Sequence, residues 1–270
     1  MDRGRKASRR WLAAALTVLV ATAVAVAAAL GAQTRTPLPV GNLDFTFGLR
    51  ASPQAMPKRA YVPVTVDLLG AVETRDGTHP PALRELVLDV DEDVKLDAEG
   101  IPVCKPPPSR DARRARKACG PAIVGSGSAK VEFAFPGQTP SIAPSPVTVF
   151  NGGTRDGVTT LFVHAFVRVP VPAAVVTRVT VRRSGSGVHS VARVPVIAAG
   201  AGSLVDFRVR LGRDYAYEGE ERSLLRARCP DGVFEVATSK AVFRNEAGVP
   251  GAPPTTMLKG VVLVPCVPKG

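Results

Sequence analysis

The sequence predicts an all-β protein, a β-sandwich of ten or more short antiparallel strands, and three observations carry that expectation. Apolar and polar residues alternate with a period of two through most of the chain after residue 41, as half-buried strands require. Turn sequences fall between these stretches, at Asp76-Gly77, Asn151-Gly152-Gly153, Asp156-Gly157, Ser184-Gly185-Ser186-Gly187 and Asp231-Gly232. Beyond the N-terminus, helical spacing with matching caps occurs in a single short stretch.

The chain opens with a basic flank, Met1 to Arg10, followed by 20 uncharged and mainly apolar residues, Trp11 to Leu30. Such a run matches the roughly 20 residues that cross a bilayer and exceeds the roughly 7 to 15 of a cleaved signal. Residues 1–32 are therefore expected to form an N-terminal hydrophobic helix acting as a signal-anchor. The basic end stays inside and the remainder is extracytoplasmic. Leu30-Gly31-Ala32 keeps cleavage near Ala32, and hence secretion, as the alternative. No Cys lies near this junction, which argues against acylation there. Residues 33–41 read as a short linker and 42–270 as one domain, with the Pro-rich segment 136–146 as a subdivision point or a long loop.

Within that domain the strands follow in order. Leu43, Phe45, Phe47 and Leu49 alternate with Asp44, Thr46, Gly48 and Arg50. Val62, Val64, Val66 and Leu68 repeat the pattern, with Pro63 marking an edge because proline has no N–H to donate. Leu86, Leu88 and Val90 follow, then Val131, Phe133 and Phe135. The stretch 159–167 is apolar on both faces and reads as a central strand. Val205, Phe207, Val209 and Leu211 are set to share one face, opposite Asp206, Arg208 and Arg210. The helix is expected from Ser109 as N-cap, through Asp111 in the first turn and Lys117 in the last, to a stop at Gly120-Pro121. Ala112, Ala115 and Cys119 form its inner face.

Four cysteines, Cys104, Cys119, Cys229 and Cys266, suit two bridges in an oxidising compartment. Three pairings exist. Joining neighbours, Cys104 to Cys119 and Cys229 to Cys266, is favoured and would bracket the helix with a disulfide. No Cys-x-x-Cys pair supports a zinc site.

Cys104, the Ala-rich helix, the run Ala118-Cys119-Gly120-Pro121-Ala122-Ile123-Val124-Gly125-Ser126-Gly127, and the segments PVTVFNG (146–152), SLVDFRVRLGR (203–213) and SLLRARCPDG (223–232) resemble a group of uncharacterised exported actinobacterial proteins. The resemblance spans about residues 83–266. It implies an all-β secreted fold with two disulfides and no assigned activity.

Charge narrows the partners. The chain from Gln33 carries 30 Lys and Arg against 22 acids, a net of +8. Most of that excess lies between Lys105 and Lys117, and Arg110, Arg113, Arg114, Arg116 and Lys117 form a candidate site for anionic cell-wall polymers. An acidic strip from Asp89 to Glu99 precedes it, so internal pairing of the two blocks is the favoured expectation. The high pI is therefore no argument for nucleic acid. Asp89, Asp91 and Asp93 are weak calcium candidates, since Val94 and Gly100 break the EF-hand pattern.

Catalytic motifs of the common hydrolase, zincin and nucleotide-binding types are missing, and no cofactor is expected. His164 reads as a packed histidine, while His79 and His189 read as solvated. Tyr215 and Tyr217 read as packing at a sheet rim. The expectation is a non-enzymatic structural or interaction module at the cell surface, tethered through residues 11–30, with polymer binding through residues 105–117 as the alternative.

Overall fold

The computed structural model describes residues 35–270 except 106–107, 109–110, 170–171 and 186. The basic flank and the apolar run 11–30 lie outside the described residues. No helix among the described residues is long and apolar enough to cross a membrane.

The strands, in chain order, are β1 (Arg35–Val40), β2 (Leu43–Ser52), β3 (Ala55–Pro57), β4 (Val62–Pro63), β5 (Thr65–Thr74), β6 (Ala82–Val90) and β7 (Val94–Leu96). Helix α1 (Ala112–Cys119) then precedes β8 (Ile123–Phe133), β9 (Ser141–Arg155), β10 (Val158–Val167), β11 (Ala173–Ser184) and β12 (Gly187–Arg193). The rest are β13 (Gly202–Leu211), β14 (Asp214–Tyr217), β15 (Glu220–Ser223), β16 (Leu225–Ala227), β17 (Val233–Arg244), β18 (Thr255–Pro265) and β19 (Val267–Lys269).

Twelve of these form one antiparallel sheet in the order β1-β2-β5-β13-β8-β9-β10-β11-β12-β6-β17-β18. The sheet curls until its two outer strands meet, making a near-barrel whose opposite walls pack as the layers of a sandwich do. Leu38 of β1 packs onto Gly260 of β18 and closes the seam with side chains instead of a ladder. The small sheet β4-β16-β7 covers one end, and β19 pairs in parallel with β3.

Alternation builds the core. Phe45 and Phe47 on β2 are fully buried, and Phe45 meets Phe243 of β17 edge-on across the interior at 5.5 Å between ring centroids. Pro63 stands on an edge strand, and β10 is central between β9 and β11, as the sequence indicates. Asp156 and Gly157 both adopt positive φ in the two-residue turn that joins β9 to β10.

Several local expectations are corrected. Arg35–Val40, within the expected linker 33–41, is a strand paired along β2 and no free linker. The Pro-rich segment divides nothing: a turn at 135–138 leads directly into β9. Pro144 and Pro146 sit opposite Lys130 and Ser128 of β8, beyond the last residue of β9 that β10 pairs with, so their missing N–H groups break no ladder. Asn151-Gly152-Gly153 is a bulge inside β9 rather than a turn, because Gly152 lies against Phe162 and Thr160 where no Cβ fits. A second bulge between Leu204 and Asp206 removes Val205 from the face that Phe207 and Val209 share, and Leu204 takes its place. The stretch from Val62 splits at Val64, whose N–H turns to the carbonyl of Leu225 at 3.0 Å.

Both disulfides join neighbouring cysteines, Cys104 to Cys119 and Cys229 to Cys266, with Cα separations of 5.0 and 6.1 Å. They fit an oxidising environment.

Candidate functional site

The interior of the near-barrel is not filled. A cavity of about 200 Å³ lies between the walls, lined from β5, β6, β8, β9, β10, β11, β12 and β13. A neighbouring cavity of about 140 Å³ shares Leu68, Leu88, Val179 and Ser190 with it and runs toward the β4-β16-β7 sheet. At the opposite end, Val175 and Ile197 also border a vestibule of about 550 Å³ with apolar walls that include Phe133, Phe135 and Val196.

This lumen follows from the sequence pattern. Inward positions on β10 to β13 carry Val163, Ala165, Val179, Ala192, Phe207 and Val209, all half-buried although they face the interior. A core packed to ordinary density would bury them fully. Among the described residues, Thr177 and Ser190 supply the only hydroxyls on the wall of the 200 Å³ cavity, and no charged one lines it. Such a space favours an uncharged apolar occupant over water, which needs several polar partners.

On the outer face, α1 lies across β9 and β10. Asp111, not Ser109, is its N-cap and accepts the Arg114 N–H at 2.8 Å; Ser109 lies outside the described residues. The bond from the Arg114 N–H holds the Asp111 carboxyl below its ordinary range. Ala115 and Cys119 are buried and pack with Ala122 against Phe150, while the Cys104–Cys119 bridge pins the helix end. Cys104 N–H donates to the Asn151 carbonyl at 2.8 Å, and the buried Asn151 amide holds the Ile101 and Pro102 carbonyls, so the platform is rigid.

A groove of about 650 Å³ runs between α1 and the outer face of β9 and β10. Of the five basic candidates, Arg113 and Arg116 line it, Arg114 and Lys117 do not, and Arg110 lies outside the described residues. Arg168, which follows β10, lines it as well and was not singled out in the sequence. His164 on the groove floor is packed, 3% exposed and edge-on to Phe150.

The acidic strip does not answer this basic helix. Arg228 takes Asp93 and Glu92, Arg222 takes Glu99, and His189 Nδ1 lies 2.6 Å from Asp89 Oδ1. Asp91 accepts the N–H groups of Asp93 and Glu235, and burial raises its carboxyl above the ordinary range. Burial also acts to raise Asp89, but hydrogen bonds from Ser239 and His189 more than offset it. Among the described residues the two charge blocks do not pair as expected, because Asp91 and Asp93 lie beyond the end of β6 and turn toward β16 and β17. Among the described residues no group of three or more His, Cys, Asp or Glu side chains is placed to hold a metal ion, Asp89, Asp91 and Asp93 included.

Neither remaining histidine is simply solvated. His79 Nε2 lies 3.1 Å from Ser203 Oγ and its Nδ1 2.7 Å from Glu132 Oε1, an order that invites comparison with a catalytic triad. The Ser203 hydroxyl, however, donates to the Pro80 carbonyl at 2.7 Å and is 1% exposed. The network fastens the loop before β6 to β8 and β13. Only the pairing of Ser203 opposite Glu132 across the two strands brings it together, and no local pattern announces that register. At the rim, Tyr215 donates to the Glu99 carbonyl at 2.7 Å and Tyr217 packs on Gly100 and Arg222, so both tyrosines are packing residues.

Comparison with protein-family models, with curated proteins and with solved structures finds no match to this chain.

Proposed function

We propose that this protein is a non-enzymatic, extracytoplasmic binding module whose near-barrel holds a single apolar chain, such as an unbranched acyl chain, in its lumen. The carrying observation is a row of three apolar spaces that share walls: the vestibule and the 200 Å³ cavity at Val175 and Ile197, that cavity and the one beneath β16 at Leu68, Leu88 and Val179. Its two inner cavities together reach the low end of the roughly 300–1,000 Å³ usual for small-molecule sites. They offer no charge to a buried head group.

The basic flank and apolar run before residue 33 support export and tethering to the membrane, with release by cleavage near Ala32 as the variant form. The resemblance to exported actinobacterial proteins and the two disulfides support the same placement. A module held near a bilayer has apolar chains at hand.

Titration with cis-parinaric acid, whose fluorescence rises in an apolar site, tests the proposal. Saturable enhancement is expected for the wild type, and Ala192→Trp, which fills the lumen, removes it while the protein stays folded by circular dichroism. Absence of enhancement in the wild type, or full enhancement in a folded Ala192→Trp, rejects the lumen as a binding site.

A further inference from the structure

We propose that the groove beneath α1 is a separate binding site for a phosphate monoester carried on an apolar or ring-bearing group. Three arginines, Arg113 and Arg116 on α1 and Arg168 after β10, border one groove. Among the described residues, Glu92, Asp93 and Glu99 of the acidic strip pair with Arg228 and Arg222 and with none of these three. Exposed arginines that outnumber the carboxylates at a concavity recognise oxyanions by paired N–H donors.

The charge balance selects the class of anion. Asp111 also lines the groove, so among the described residues three arginines and one carboxylate leave +2. A phosphate monoester carries about −1.5 to −2 at neutral pH and matches that excess, whereas one carboxylate leaves it half unanswered. Polar atoms on the floor come from Thr148, which lies 3.4 Å from Arg116 Nη2 and orients that guanidinium, and from His164. Half-buried Phe166 and exposed Pro146 offer an apolar wall for the rest of the ligand.

The groove is also preformed. The Cys104–Cys119 bridge and the packing of Ala115 and Cys119 fix the helix over β9, so binding orders little backbone. The site is on the opposite face of the β9-β10 wall from the lumen: Thr148 and His164 point outward, while Val147, Val163 and Ala165 face in. It therefore stands whether or not the lumen binds a chain.

Isothermal titration of the full chain with phenyl phosphate tests this directly. Saturable binding is expected, weakened about tenfold or more by Arg168→Gln and by Arg113→Gln, the loss of a charge-assisted contact. Arg114→Gln, on the same helix but outside the groove, serves as the control and leaves affinity within about twofold. Inorganic phosphate and vesicles of phosphatidic acid against phosphatidylcholine separate the sources of the monoester: vesicle binding sensitive to Arg168→Gln identifies a lipid head group, and binding of phenyl phosphate alone identifies a soluble ester. No saturable binding of phenyl phosphate, or equal losses from Arg114→Gln and Arg168→Gln, overturns the site. Parinaric acid binding to Arg168→Gln is expected to be unchanged, so failure of one site does not imply failure of the other.

Discussion

Arg228 Nε lies 2.5 Å from Asp93 Oδ1, and the same guanidinium reaches Glu92 Oε1 at 3.1 Å. This arginine, 135 residues from Asp93 in sequence, engages two carboxylates of the acidic strip. Asp93 holds Arg228 above its ordinary pKa range. Because Asp93 is largely buried, removing the arginine strands a desolvated carboxylate. Arg228→Ala is expected to lower Tm by several degrees, and adding Asp93→Asn is expected to restore most of the loss. A thermal-denaturation double-mutant cycle with additive effects would refute the coupling.

Asp67 and Arg210 face each other across β5 and β13, with Arg210 Nη2 2.8 Å from Asp67 Oδ2. The hydrogen bond from Arg210 lowers the Asp67 carboxyl below its ordinary range. A depressed carboxylate contributes stability that is present above its unfolded pKa, about 3.9, and lost as pH falls through the folded value. Asp67→Asn should therefore cost up to about 1 kcal/mol at pH 7 and flatten the acid limb of stability below about pH 4. Urea midpoints measured from pH 2 to 7 check both parts.

Gly127 on β8 sits so close to the Arg208 carbonyl of β13 that an added Cβ would collide with backbone, whereas Gly120 at the end of α1 has open space. Gly127→Ala is expected to destabilise the protein by about 1–3 kcal/mol through displacement of paired strands. Gly120→Ala is expected to change stability by less than about 0.5 kcal/mol. Equal denaturation midpoints for the two variants would contradict the close strand approach.

Cys229–Cys266 closes the β17-β18 hairpin, whose Phe234, Val236, Val262 and Val264 are almost fully buried. Replacing both cysteines by Ser is expected to cost about 2–5 kcal/mol. Loss of Cys104–Cys119 should act locally instead, raising hydrogen exchange in α1 and weakening phenyl phosphate binding with little change in the exchange of β17.

The alternation of residues such as Phe45 and Phe47 made the strands legible in the sequence, since a pleated backbone sends neighbours to opposite faces. The Asp156-Gly157 turn and the helix were readable for the same reason: their causes lie within a few residues. Cysteine spacing pointed to the two bridges that join sequence neighbours. Charge counting, by contrast, misplaced the acidic strip, because proximity in sequence says nothing about where a chain goes once it leaves β6.

Tertiary structure alone decided the rest. Which residues share a face depends on bulges, and Val205 leaves the inward row only because β13 must register with both β8 and β5. The triad-like contact of Ser203, His79 and Glu132 spans 124 residues and exists through that same register. Arg168 joins Arg113 and Arg116 because α1 is pinned over the β9-β10 wall, and the lumen exists because twelve strands curl further than their inward side chains can fill. Local patterning determined what each segment is, while long-range strand order, a property of the whole sheet, determined what the segments enclose.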